Sequence, residues 1–417
     1  MDAFGVATIE TLFGDEADVL RRPRYQLLLL ANINAALGTV LVSPLLEALT
    51  GPFGVTEAEA GLMITMFTAP SVVGIPVVGA IADRHGRKPV LVVSLLLFGV
   101  AGTAIALVTD FRLALGLRML QGIGYAGITP VVITSIGDLY QDAREATAQG
   151  LRFTSSGAAQ ATFPVLAGLL VTVAWQYPFL IFVIAVPVAV LVQLFYEEPP
   201  TVSTDDIPEG TSYIGDLFRL AVQRRVFAIT VALAVPAFIY IGFLAYNSFL
   251  VVRVLDGTPG QAGVVIGVTS VVYAVAASQA GRVTAFFGSR AIPLVGANVF
   301  MGAGLTVFAL APNIWIAYGG AAVMGVGTGT AFSLLRSVIT GLATASLRGG
   351  LVGIGESTIR AANSVAPVVI GASIAFAQAD IGADPAIRWS LVGVGVGGVI
   401  VGIVAVLIAR DSPAVDD

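Results

Sequence analysis

Twelve stretches of this chain are apolar for roughly the 20 residues that a helix needs to cross a hydrocarbon layer ~30 Å thick, and few folds admit such a pattern. They run over 25–46, 61–82, 89–109, 112–137, 148–174 and 178–196, then over 226–252, 262–281, 291–311, 315–339, 350–377 and 389–409. Isolated strands in lipid would leave backbone groups unpaired, so the spans are helices. Only 11% of residues are charged and 57% are hydrophobic, whereas soluble domains carry about 25% charge. Too little charge exists to cover a water-facing surface. The expected fold is therefore an all-α integral membrane protein with 12 transmembrane helices.

Lysine and arginine in the connecting loops set the orientation. Arg21, Arg22, Arg24, Arg84, Arg87, Lys88, Arg144, Arg224 and Arg225 fall on one side, with Arg112, Arg253 and Arg388 on the other. Both termini are accordingly expected in the cytoplasm, with the protein in the cell membrane. The chain divides into a leader (1–24), a first six-helix bundle (25–196), a polar cytoplasmic loop (197–225), a second bundle (226–409) and a tail (410–417). The first apolar run is too long for a signal peptide and is not followed by a cleavage site, so the leader reads as retained. The halves also repeat. Thr56 in "TEAEAG" answers Thr258 in "TPGQAG", Gly79 and Gly86 answer Gly281 and Gly288, and Pro164 with Gly168 answers Pro367 with Gly371. An even number of spans per half makes these parallel repeats, a transporter arrangement with a site at their interface.

Several chemistries drop out. There is no cysteine, and the single histidine is His85, which removes disulfides, thiol nucleophiles and zinc ligation. No nucleophile–base set suggests an enzyme, no basic stretch suggests nucleic acid, and no cofactor is implied. "GIGYAG" (122–127) and "GVGVGG" (393–398) satisfy a dinucleotide fingerprint but sit inside apolar spans. The fingerprint needs a βαβ unit, and small residues there read as helix packing.

The charge that remains is concentrated at "GAIADRHGRKPVL" (79–91), between spans 2 and 3, where Asp83, Arg84, His85, Arg87 and Lys88 crowd together. Basic residues can simply anchor a short loop inside. That leaves unexplained the acid among the bases and the frame of Gly79 and Gly86. The stretch resembles the loop 2–3 signature of the major facilitator superfamily, G-x-x-x-D-R-x-G-R-K. "RMLQGIGYAG" (118–127) resembles the family's fourth-helix motif, and "GDLYQDAREATAQG" (137–150) the acidic end of helix 4. The resemblance implies the major facilitator fold, two parallel six-helix repeats, which can work as a monomer. It also implies a cytoplasmic gating latch of Gly79, Asp83, Gly86, Arg87 and Asp138, with Asp83 meeting the start of helix 11 near Arg348 and Gly349 and Arg87 pairing with Asp138. In the second half Ala285 and Ser289 stand where Asp83 and Arg87 stand in the first, so no second latch is expected. The family's antiporter-associated pattern in helix 5 is degenerate, with Phe163 where a glycine belongs.

An ionisable group at membrane depth costs roughly 2.5–3.5 kcal/mol on insertion scales, so each requires a reason. Glu356 is the acid placed well inside a span and is the leading proton-coupling candidate; a static ion pair with Arg360, one turn on, is the alternative. Arg118 belongs to the helix 4 motif, whose arginine the resemblance links to proton movement; fixing helix 4 to neighbouring carbonyls is the other reading. Arg336 lies near a helix end, where it can snorkel. Gln149, Arg152, Ser156 and Gln160 share one face of helix 5, as Glu356, Arg360 and Asn363 share one of helix 11. Together with Asn32, Asn34, Tyr125, Tyr240 and Asn247, these are the substrate-cavity candidates, interhelical hydrogen bonding being the plainer alternative. The expected function is secondary transport of small organic molecules by alternating access, as proton-linked efflux. Import or exchange of organic anions is the second reading, and a non-transporting membrane sensor the third.

Overall fold

A computed structural model describes residues 15–198, 215, 218–342 and 348–409. Much of the expected leader and central loop, and the whole tail 410–417, lie outside the described residues. Among the described residues twelve principal helices follow one another: α1 (Pro23–Val40), α2 (Leu62–His85), α3 (Arg87–Ala104), α4 (Phe111–Leu139), α5 (Asp142–Leu170) and α6 (Ala185–Phe195), then α7 (Arg224–Phe249), α8 (Pro259–Phe287), α9 (Ala291–Leu310), α10 (Ile314–Gly341), α11 (Arg348–Ile381) and α12 (Ala383–Ala409). No strand occurs among the described residues. Eleven of the segments carry an apolar stretch long enough to cross a membrane. The exception is α5, which begins at Asp142 rather than at the expected 148 and holds Gln149, Arg152 and Gln160 in its middle. The helix with the weakest claim on lipid thus carries the polar stripe.

The repeat is written in the helix starts. Thr56 accepts from the Glu59 backbone while the Glu59 carboxylate accepts from the Thr56 N–H, and Thr258 does the same with Gln261, so the segments leading into α2 and α8 open on matching capping boxes. Asp110 caps α4 and Asn313 caps α10 at equivalent positions. Gly86 is the whole connection between α2 and α3. Its φ of 93° lies where a side chain would be strained.

Residues 15 and 409 lie at one end of the bundle, the terminal end, together with the α2–α3 joint; Gly54 and Gly257 lie at the opposite end. Buried apolar side chains form two clusters. One runs through the first half and continues across the opposite end into the second, from Leu41 and Met63 to Phe243, Val265 and Ile370. The other, with Ile229, Leu294, Leu335 and Leu351, belongs to the terminal end of the second half alone. The two halves therefore share a core at the opposite end and part at the terminal end.

Candidate functional site

The shared core is tied by hydrogen bonds between the two halves, two of them at equivalent positions. Ser43, just beyond α1, donates to the Leu244 carbonyl of α7, and the Glu47 backbone N–H donates to Ser248 Oγ at 3.1 Å. Thr65 of α2 donates to the Ser364 carbonyl of α11 at 3.0 Å. The α5 and α8 backbones close further, with Gly168 and Gly263 at the contact: a Cβ on Gly263 would lie 2.6 Å from the Pro164 carbonyl carbon. Over this seam sits an ion-pair network absent from the sequence reading. Arg253 at the end of α7 pairs with Glu57 of the first half and, at 2.6 Å, with Asp384 of α12. The repeat offset could have foretold that α1 and α7 meet on the axis. Nothing in the sequence joined Arg253 to Glu57.

At the terminal end the groups of the charged loop pair within the first half. Arg87 forms an ion pair with Asp138 at the end of α4. Glu198, beyond α6, accepts from the Arg87 and Lys88 backbone N–H groups, so its carboxylate caps α3 where the macrodipole favours an anion. Arg24 pairs with Glu197. Asp83 is exposed and has no ion-pair partner among the described residues; the Arg348 side chain lies outside them. Gly79 has open space where a Cβ would stand.

Between the two ends lie the polar stripes of α5 and α11. By the 1.5 Å rise per residue, Arg152 sits ~15 Å into α5 and Glu356 ~12 Å into α11. Arg152 is 5% exposed and donates to Gln149 Oε1 at 2.8 Å and Asn32 Oδ1 at 3.2 Å. Asn32 donates to Ser156 Oγ at 2.6 Å, and Gln149 to the Ile133 carbonyl. These four residues form one hydrogen-bonded wall from α1 and α5. On the facing wall Glu356 pairs with Arg336 of α10 at 2.9 Å, and both are partly exposed. Arg360 reaches across to donate to the Tyr125 hydroxyl of α4 at 2.6 Å. The alternative reading of Glu356 as an ion pair with Arg360 gives way to two other pairings, because α10 brings a guanidinium nearer to the carboxylate than the next turn of α11 does.

Other candidates stand apart. Arg118 is wholly buried and donates to the carbonyls of Gly38 and Met63 at 3.0 Å each and to Gln121 Oε1 at 2.6 Å, with its guanidinium over the Phe67 ring. It clasps α1, α2 and α4 together. Asn247 is buried and ties α7 to the Ala262 carbonyl of α8, and Asn34 donates to Leu30 in its own helix. Tyr240 is half-buried beside Phe243. Gln160 and Asn363 are half-buried too. No group of three or more metal-ligating side chains occurs among the described residues.

The family model of the Major Facilitator Superfamily matches residues 28–257, just over half of the chain. A bacillibactin exporter of Bacillus subtilis is 33% identical over 150 residues, covering 34% of this chain and 37% of that protein. The chloramphenicol resistance protein CraA of Acinetobacter baumannii is 26% identical over 242 residues, 57% of each chain. The match to the first of these spans little more than a third of that protein's length. Among solved structures, a bacterial homologue of the human lysosomal transporter Spinster, in an inward-facing and occupied conformation, superposes with a TM-score of 0.77 at 16% identity, covering 94% of this chain and 96% of that one. A D-xylose–proton symporter gives a TM-score of 0.70 at 14% identity, covering 93% and 97%.

Proposed function

Because the chain belongs to the Major Facilitator Superfamily, and is a multi-pass protein of the plasma membrane, we propose that it exports small organic molecules by alternating access, driven by protons. One observation carries the reading: the halves share a core at one end and part at the other, with the polar walls of α5 and α11 facing the gap. The basic residues gathered at the terminal end assign it to the cytoplasm. The cavity is then open inward, in the state that loads an exporter. Likeness to an exporter and to a resistance protein supports the outward direction.

Export needs the inner end to close and the outer seam to open. Glu356 is the coupling carboxylate in this reading, because its pairing with Arg336 faces the gap and ends when it takes a proton. In liposomes with an imposed pH gradient, wild-type protein should drive net efflux. Glu356→Gln should reduce gradient-driven flux to the level of protein-free liposomes yet keep substrate exchange. Loss of both activities, or of neither, would remove Glu356 from the coupling step.

The outer network serves as the counterpart lock. Arg253 is 31% exposed and Glu57 15%, so the pair is worth about 1 kcal/mol, or roughly a fivefold shift in an equilibrium. The chain has no cysteine, so Ser43→Cys gives a single thiol inside the seam. Its reaction with an impermeant maleimide added outside should speed up roughly fivefold when Arg253→Gln is introduced. An unchanged rate would show that Arg253 does not hold the seam.

A further inference from the structure

We propose that the cavity binds a small organic anion whose charged head lies between Arg152 of the first half and Arg336 and Arg360 of the second. The inference deepens the export reading and rests on it for the identity of the bound molecule as cargo.

The stripes of α5 and α11 and the neighbouring turn of α10 bring together three arginines, Arg152, Arg336 and Arg360, and one acid, Glu356. Arg336 has that acid, Glu356, at 2.9 Å. Arg152 is nearly sealed from solvent, and its hydrogen bonds go to neutral oxygens of Gln149 and Asn32. Arg360 bonds the neutral Tyr125 hydroxyl and keeps its Nε buried without a partner. Arg152 thus stands at membrane depth without a carboxylate, and Arg360 feels only the Glu356 carboxylate that Arg336 already holds, an arrangement that is costly unless something else supplies further negative charge. A carboxylate suits the fork of N–H donors that a guanidinium presents.

Aromatic rings flank all three guanidiniums. Arg152 lies 4.2 Å from the Phe153 ring centroid, Arg360 5.4 Å from that of Tyr125 and Arg336 5.6 Å from that of Phe332. A cation held on a ring face keeps its N–H groups at the edge for a ligand.

Electrostatics then link binding to motion. Arg152 and Arg336 come from opposite halves and are within electrostatic reach of each other. Closing the inner end brings these like charges together, which an empty cavity resists. An anion between them turns the repulsion into two attractions. The loaded protein closes inward more readily than the empty one, as net export requires.

Three matched probes test this on the full-length protein: 2-naphthoate, 2-naphthamide and 2-naphthylmethylammonium. Calorimetric titration should find naphthoate bound at least about tenfold more tightly than the amide, since hydrogen bonds to charged groups are the stronger ones, with the ammonium weakest. Arg152→Gln and Arg360→Gln should each cost the carboxylate about tenfold and the amide markedly less, with thermal unfolding reporting that each variant is folded. Arg152→Lys should cost less than Arg152→Gln. Equal binding of amide and carboxylate, or naphthoate affinity indifferent to Arg152→Gln, overturns the proposal. Should neither glutamine variant fold, the ranking of the probes on the wild-type protein decides. Flux separates the two readings: naphthoate bound but not moved sinks export and keeps the anion site, whereas the amide or ammonium moved in preference to naphthoate does the reverse.

Discussion

Gly263→Leu should cut transport about a hundredfold while leaving the protein folded. The seam between α5 and α8 is a backbone contact. A Cβ at Gly263 would stand 2.6 Å from the Pro164 carbonyl carbon and 2.7 Å from the Val165 Cα. Neither atom is the tip of a flexible side chain, so the helices themselves must separate. Forcing atoms into a packed contact costs up to about 3 kcal/mol, or roughly a hundredfold in population. The cost falls only on the state whose outer end is closed, because α5 and α8 belong to different halves. Liposome flux should therefore collapse, a thiol at position 43 should react freely from outside, and the thermal midpoint should change little. Wild-type flux from this variant would mean that the seam does not need to close as it is seen here.

Arg118→Ala should act in the opposite way, on folding rather than on the cycle. Its guanidinium satisfies two backbone carbonyls and Gln121 from a fully buried position and stacks on Phe67. Truncation deletes charge-assisted bonds and opens a cavity where three helices meet, a loss of roughly 3–5 kcal/mol. Arg118→Lys, a point charge without the fork, should recover only part of it. Thermal unfolding of the purified variants is the measurement. A stable Arg118→Ala that exchanges substrate but ignores a pH gradient would return this arginine to the proton pathway.

What could be read from the sequence followed from adjacency and periodicity. The charged joint stands out because Asp83 to Lys88 are neighbours in the chain, and the repeat stands out because its turns and caps recur at one offset. The polar face of α5 was legible because Gln149, Arg152, Ser156 and Gln160 share a helical spacing. The pairings that organise the cavity were not. Glu356 had a plausible partner one turn away, and only the packing of α10 against α11 puts Arg336 closer. Arg253, Glu57 and Asp384 lie at the ends of three different helical segments, where charge is ordinary. Their meeting is a product of how the halves dock. For Arg118 the sequence offered both proton movement and the fixing of helix 4 to carbonyls; its acceptors are carbonyls of α1 and α2, whose identity leaves no mark in a side-chain sequence.

The single-residue joint at Gly86 has a mechanical corollary. Because α2 and α3 turn on one residue, Arg87 holds α4, and Glu198 clips the joint from beyond α6, four helices are riveted at one corner. In the proposed export cycle they swing as a single lever about that pivot. The 24 residues of α2 span ~36 Å, so a tilt of about 10° carries the far tip through ~6 Å. An aperture wide enough for a small molecule can thus open at the distal rim with hardly any slippage at the fulcrum.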